Sequence, residues 1–291
     1  MYYAISLLMG VLISVMIAMN GGLTQEYGIY SATVIIHIVG LILIVAVVLG
    51  KRQRFFPGRF AWFLYLGGAI GVMTTVFNNL SFGRISVSAI LALGLFGQSV
   101  AGLIIDQYGL LNMPKHPFTK QKIIGLLLIM AGIASMINNF EIVAVIASFI
   151  AGVNIVVSRT LNAKLADATS VHVSTFYNYF VGLIVAIPVF LLLGRNEMVF
   201  SEFAFSPSLS TWYIYLGGVL GVCVVLLSNV TVVKISAFYL TLLIFVGQVF
   251  SGVVIDIVIS QEISVRNLIG GVLVAVGLSA NLLIDKKYPA S

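Results

Sequence analysis

Two glutamines, Gln98 and Gln248, stand 150 residues apart, each preceded by a glycine and each near the middle of a long uncharged stretch (85–105 and 235–255). An amide in hydrocarbon needs partners, or it costs several kcal/mol. Its chemistry is hydrogen bonding, and two roles fit: contact with a polar solute in a cavity, or glue between helices worth about 0.6–2 kcal/mol. Asn20 and Asn162 recur at a spacing of 142, and Asn79 and Asn229 at 150. These asparagines, with Asn78, fall toward the ends of their stretches, where they could cap helices or stand at gates. The two halves differ at Val34-Ile35-Ile36-His37 against Phe176-Tyr177-Asn178-Tyr179. The Tyr177 and Tyr179 rings could hold a cation or a flat ring, or simply pack; His37 could titrate.

The charged residues offer less. Asp106 and Asp256 close their stretches. A carboxylate at a helix C-terminus opposes the helix dipole, so the two either sit simply at the membrane interface, which is the preferred reading, or are favoured by a basic side chain or a free backbone N–H. Arg159 is expected to snorkel to the inner end of its span, with pairing to a substrate anion as the alternative. No His-Glu-x-x-His, no cysteine pair, no acidic metal motif, no phosphate loop and no Gly-x-Ser-x-Gly occurs. No catalytic residue, cofactor or metal is therefore expected. The lone Cys223 is expected to pack.

The elements that must position these residues follow from composition. Of 291 residues 60% are hydrophobic and 8% are charged, with 28 glycines and a mean hydropathy of +1.14. Soluble domains carry about 25% charged residues, so this surface is not made for water. Charges cut the chain into ten long uncharged stretches: 1–25, 27–50, 60–83, 85–105, 123–140, 142–158, 168–194, 203–233, 235–255 and 267–284. Each can hold a span of about 17–25 residues. The spans are read as helices, since runs such as Ile123–Ala134 lack the alternation of a barrel strand. The first stretch has no basic residue ahead of it, so it is expected to be a permanent span and not a cleaved leader.

Sorting the loops by side gives the orientation. Lys51, Arg52, Arg54, Arg59, Lys115, Lys120, Lys122, Arg159, Lys164, Lys234, Lys286 and Lys287 fall on the side of the termini. Only Arg84, Arg195 and Arg266 fall opposite. The excess places both termini in the cytoplasm. It also assigns the net charge of +6 to the membrane surface, not to nucleic acid.

The chain repeats itself. Trp62-Phe63-Leu64-Tyr65-Leu66-Gly67-Gly68 returns as Trp212-Tyr213-Ile214-Tyr215-Leu216-Gly217-Gly218. The offset of 150 persists through Gly71/Gly221, Gly97-Gln98/Gly247-Gln248 and Asp106/Asp256. Upstream the offset is 142, as in Gly10/Gly152 and Gly40/Gly182; downstream it is 145, as in Gly125/Gly270. The units are 1–137 and 141–287 with five spans each. An odd number inverts the second unit, an arrangement usually found where a site at the midplane is exposed alternately to the two sides.

The run Gly97-Gln98, Asp106, Tyr108-Gly109-Leu110, Pro114, Pro117 and Gly125, with Asn20, Leu23 and the Gly67-Gly68 pair, resembles the YdcZ-type branch of the drug/metabolite transporter superfamily, in a fused, double-length form. The resemblance implies an all-α membrane protein of ten helices, with helices 1–4 and 6–9 around a central cavity and 5 and 10 outside. It implies no particular substrate. The expected function is secondary transport of a small polar or amphipathic metabolite across the cytoplasmic membrane. A lipid or lipid-linked-sugar translocase and a non-transporting assembly subunit are the alternatives. Gln98, Gln248, Asn20, Asn162, Tyr177, Tyr179 and His37 are the expected substrate contacts. The expected partners are the small-molecule substrate and the bilayer; a homodimer is compatible with the sequence.

Overall fold

The structure is a computed structural model, and it describes residues 2–56, 58, 60–110, 122–137, 141–197, 211–231, 237–260 and 264–287. Among the described residues the helices are α1 (Tyr2–Tyr27), α2 (Ile29–Gly50), α3 (Leu66–Ser81), α4 (Val87–Tyr108), α5 (Lys122–Met136), α6 (Ile142–Ala168), α7 (Val171–Leu193), α8 (Leu216–Thr231), α9 (Ala237–Ser260) and α10 (Val265–Lys287). Short 3-10 turns, Trp62–Tyr65 and Trp212–Tyr215, lead into α3 and α8. Seven helical segments are long and apolar enough to cross a membrane; those in α5, α9 and α10 are apolar but shorter. Large apolar side chains face outward, as Ile42, Leu192 and Val258 do at 66–72% exposure. In water such a surface would be untenable, whereas lipid solvates it. This is an all-helical membrane protein.

Eight helices close into a ring. Going round it, α1 packs on α9, α9 on α4, α4 on α6, α6 on α3, α3 on α7, α7 on α2, α2 on α8, and α8 on α1. The remaining two, α5 and α10, pack on each other and flank α4 and α9 from outside the ring. Exchanging each helix with the one five further along maps these contacts onto themselves.

Glycines make the tightest crossings, and they come in matched sets. A Cβ added at Gly10 would lie 2.2 Å from the Ile244 carbonyl oxygen, and one at Gly247 2.3 Å from that of Leu7, so α1 and α9 touch backbone to backbone. The same holds for α4 and α6, where a Cβ on Gly152 would lie 1.9 Å from the Gly94 oxygen and one on Gly97 2.1 Å from the Phe149 oxygen. Such contacts let main chains approach where lipid supplies no hydrophobic drive to associate.

One expectation changes here. The sequence placed Arg159 near the inner end of span 6, within snorkelling reach of it, yet α6 runs on through Arg159 and Lys164 to Ala168. Arg159 lies nine residues from that end, about 14 Å at 1.5 Å per residue. Its side chain is too short to snorkel that far. Removing it from the cytoplasmic set leaves the loop asymmetry intact. Arg59, Lys115, Lys120, Lys234, Pro114 and Pro117, with the side chains of Asp106, Lys122, Lys286 and Lys287, lie outside the described residues.

Candidate functional site

A cavity of about 190 Å³ lies inside the ring. Its wall comes from α1–α4 and α6–α9, and among the described residues it takes nothing from α5 or α10. The lining follows the repeat closely. At an offset of 142 the wall pairs Ile13/Ile155, Met16/Ser158, Ile17/Arg159, Asn20/Asn162, Ile36/Asn178 and His37/Tyr179. At 150 it pairs Gly71/Gly221, Thr74/Val224, Thr75/Val225, Asn78/Ser228, Asn79/Asn229 and Gln98/Gln248. Of the 25 lining residues only Gly217 stands without its counterpart. On α6 the residues Ile155, Ser158, Arg159 and Asn162 fall at i, i+3, i+4 and i+7, the single face that a 3.6-residue period turns inward.

Pairing of position is not pairing of chemistry. The α1–α8 side presents Ile13, Met16, Ile17, Val224 and Val225. On the opposite side of the ring, α6 and α3 present Ser158, Arg159, Thr74 and Thr75 at the counterpart positions. At this level of the cavity an apolar patch on α1 and α8 faces a polar patch that carries a guanidinium; about one turn along, α1 and α8 add Asn20, Ser228 and Asn229, and α6 adds Ile155.

The polar groups are partly engaged. Asn162 Nδ2 donates to Asn178 Oδ1 at 2.8 Å, and Ser158 Oγ donates to the Gly67 carbonyl at 2.8 Å. Asn79 Nδ2 donates to Thr33 Oγ1 at 3.3 Å. His37 Nδ1 donates to the Thr33 carbonyl at 2.7 Å, which leaves Nε2 as the free ring position. The His37 ring lies 5.8 Å from that of Tyr179. Other groups are buried with no partner among the described residues: Asn20 Oδ1, Ser228 Oγ, Asn229 Nδ2 and Gln248 Oε1. Four orphaned polar atoms round one cavity are what a site for a hydrogen-bonding solute offers.

Six of the seven residues singled out from the sequence line this cavity: Gln98, Gln248, Asn20, Asn162, Tyr179 and His37. Tyr177 does not. Its ring packs on Tyr65 at 4.8 Å and on Phe176 at 5.5 Å, in an aromatic cluster with Phe56. Two residues along a helix turn by about 200°, so Tyr177 and Tyr179 point to opposite sides. Ser158, Asn178 and Ser228 were not among the expected contacts, and Arg159, expected to snorkel with a substrate anion as the alternative, stands in the wall. Stepping back by helical period from Asn162 finds Ser158 and Arg159, and the offset of 150 from Asn78 finds Ser228.

Asp256 has a structural post outside the cavity wall. Its carboxylate accepts from the backbone N–H of Val87 at 2.7 Å and of Ser88 at 3.0 Å, from Ser88 Oγ, and from Asn267 Nδ2 at 3.3 Å. The free backbone donors expected as the alternative to a plain interfacial position are those at the N-terminus of α4. Glu197 does the same for α2, accepting from the N–H groups of Ile29, Tyr30 and Ser31 at 2.8–3.2 Å. Gly28, at φ 89°, leaves room for that carboxylate: a Cβ there would lie 2.4 Å from Glu197 Cδ.

Residues 1–135 and 143–280 match the family described as "Putative inner membrane exporter, YdcZ", and the chain belongs to that family. It is thus a multi-pass inner membrane protein of a transporter family, in double-length form, and membership points away from an enzyme. No curated protein matches the sequence. A solved crystal structure of a protein 14% identical shares the fold, with a TM-score of 0.67 over 99% of each chain.

Proposed function

We propose that this chain is a secondary transporter that carries a small polar or amphipathic metabolite across the cytoplasmic membrane by alternating access. It does so with ten transmembrane helices in two inverted five-helix repeats, residues 1–137 and 141–287, and with both termini in the cytoplasm. The substrate contacts are Gln98, Gln248, Asn20, Asn162, His37 and Tyr179, joined by Arg159.

The observation that carries this reading is the cavity whose wall is drawn pairwise from both halves. A site shared equally by two units of opposite topology can be uncovered from either side by rocking one unit against the other. A non-transporting subunit has no need of such a cavity with orphaned polar atoms in it. A volume of about 190 Å³ also suits a solute below drug size, since drug-sized sites run to about 300–1,000 Å³.

The test uses Gln98→Leu and Gln248→Leu in purified protein, screened against a metabolite panel by thermal stabilisation. Leucine removes the amide and nearly keeps the volume. Both variants should fold with unchanged melting points, while the stabilising solute of the wild type loses its effect. Loss of folding in both would mean that the amides hold helices together. Full retention of solute binding in both would remove them from the site.

A further inference from the structure

We infer that the solute is a small amphipathic monocarboxylate, its carboxylate paired with Arg159 and its apolar part laid against the α1–α8 wall. This rests on the transport reading above and names the substrate class of that same cavity.

The charge count comes first. The wall contains one permanent cation, Arg159, and no aspartate or glutamate. A guanidinium stays protonated under any condition a protein meets. Among the described residues it makes no hydrogen bond and no ion pair. The unpaired cation stands about 14 Å along α6 from the nearer helix end, counted at about 1.5 Å per residue, and it lines the cavity within the ring of helices. Such a charge asks for a mobile counter-ion, and a solute cation is repelled for the same reason.

The shape of the cavity narrows the class further. One guanidinium matches one carboxylate in charge and in bidentate geometry, whereas a phosphate monoester carries about −1.5 to −2 and would leave excess negative charge in the wall. Across the ring lie Ile13, Met16, Ile17, Val224 and Val225, which bond to nothing polar but cover a hydrocarbon chain. Because Arg159 has Ile17 as its counterpart, the guanidinium stands on one side only, opposite an apolar patch, and this sets the orientation of the solute. The orphaned Gln248 Oε1 and Asn229 Nδ2 stand ready for polar groups along the solute's body.

The test measures binding and proteoliposome uptake of isovalerate, its neutral amide isovaleramide, the cation isoamylamine, and inorganic phosphate, on wild type, Arg159→Gln and Arg159→Lys. Isovalerate should bind at least tenfold more tightly than its amide, and isoamylamine and phosphate should compete poorly. Arg159→Gln should weaken isovalerate by roughly tenfold to a hundredfold, the effect of a lost hydrogen bond to a charged group, and leave the amide unchanged. Arg159→Lys should recover part of the loss. Equal binding of acid, amide and amine, unaffected by Arg159→Gln, overturns the anion assignment while leaving transport standing. Preference for phosphate overturns the carboxylate. If neither these probes nor a wider metabolite panel binds or crosses, the transport reading fails, and this inference fails with it.

Discussion

Asp256→Ala should destabilise the protein without touching the solute site. The carboxylate takes two backbone N–H bonds at the start of α4, one hydroxyl bond and one amide bond, and joins a helix of the second half to one of the first. Losing an N-cap acceptor costs about 0.5–2 kcal/mol. A buried donor left without a partner costs about 1–3 kcal/mol, and loss of the charge at the helix N-terminus adds up to about 2 kcal/mol. These terms overlap, since they describe the same few bonds, and together they come to about 3 kcal/mol. At about 2 °C per kcal/mol for a chain of this size, the melting point in detergent should fall by roughly 6 °C. Asp256→Asn retains one acceptor oxygen and should lose roughly half as much. Because Asp256 is absent from the cavity wall, solute affinity in Asp256→Asn should stay within about twofold of wild type. An alanine variant that melts within a degree of wild type would refute the capping argument. An asparagine variant that folds well but no longer binds would put the carboxylate in the site.

Two further outcomes are expected. Reporter fusions at Arg52 and at Glu197 should read as cytoplasmic and external respectively, and the reverse would overturn the orientation drawn from the loop charges. Any acceleration of uptake by an imposed pH gradient should disappear in His37→Gln, since His37 is the one histidine in the wall and no aspartate or glutamate lines it; acceleration that survives would require a carboxylate, of the protein or of the solute, to carry the proton.

Most of the helices were legible in the sequence because hydrocarbon tolerates so few charges that the gaps between them mark the spans. The repeat was legible because Gly, Asn and Gln at crowded or polar positions cannot drift without cost. Gly10 and Gly152 show why: each lies where a methyl would strike a neighbouring backbone. Arg159 was misplaced by the same rule that found the spans. Cutting at charges assumes that every charge marks an end, and that assumption fails for a charge that faces an internal cavity. Tyr177 was drawn in by its neighbours in a cluster, although helical rotation already sets it opposite Tyr179. The backbone donors of Asp256 were not legible, because they lie 168 and 169 residues away and meet it only through the contact of α4 with α9.

An unpaired guanidinium also bears on how the cycle turns over. Loaded with a monocarboxylate, the site is neutral; empty, it carries one positive charge. Alternating access moves the site through an occluded state cut off from water on both sides. A lone cation at the centre of a membrane helix costs about 2.5–3.5 kcal/mol on insertion scales, so return of the empty carrier should be slower than return of the loaded one by a factor on the order of a hundred. Proteoliposomes preloaded with unlabelled solute should therefore take up labelled solute about 10–100 times faster than empty ones. Exchange of one anion for another moves no net charge and should ignore an imposed potential. Net uptake ends each cycle with the positive empty site moving outward, so an inside-positive potential should speed it. In Arg159→Gln the empty carrier is neutral, so the residual transport should lose the preloading effect, while net uptake of the anion still moves one negative charge inward and stays sensitive to potential on the loaded step. Net uptake as fast as exchange in the wild type would mean that water or a second ion neutralises Arg159 in the empty carrier, and the link from that residue to exchange would be wrong.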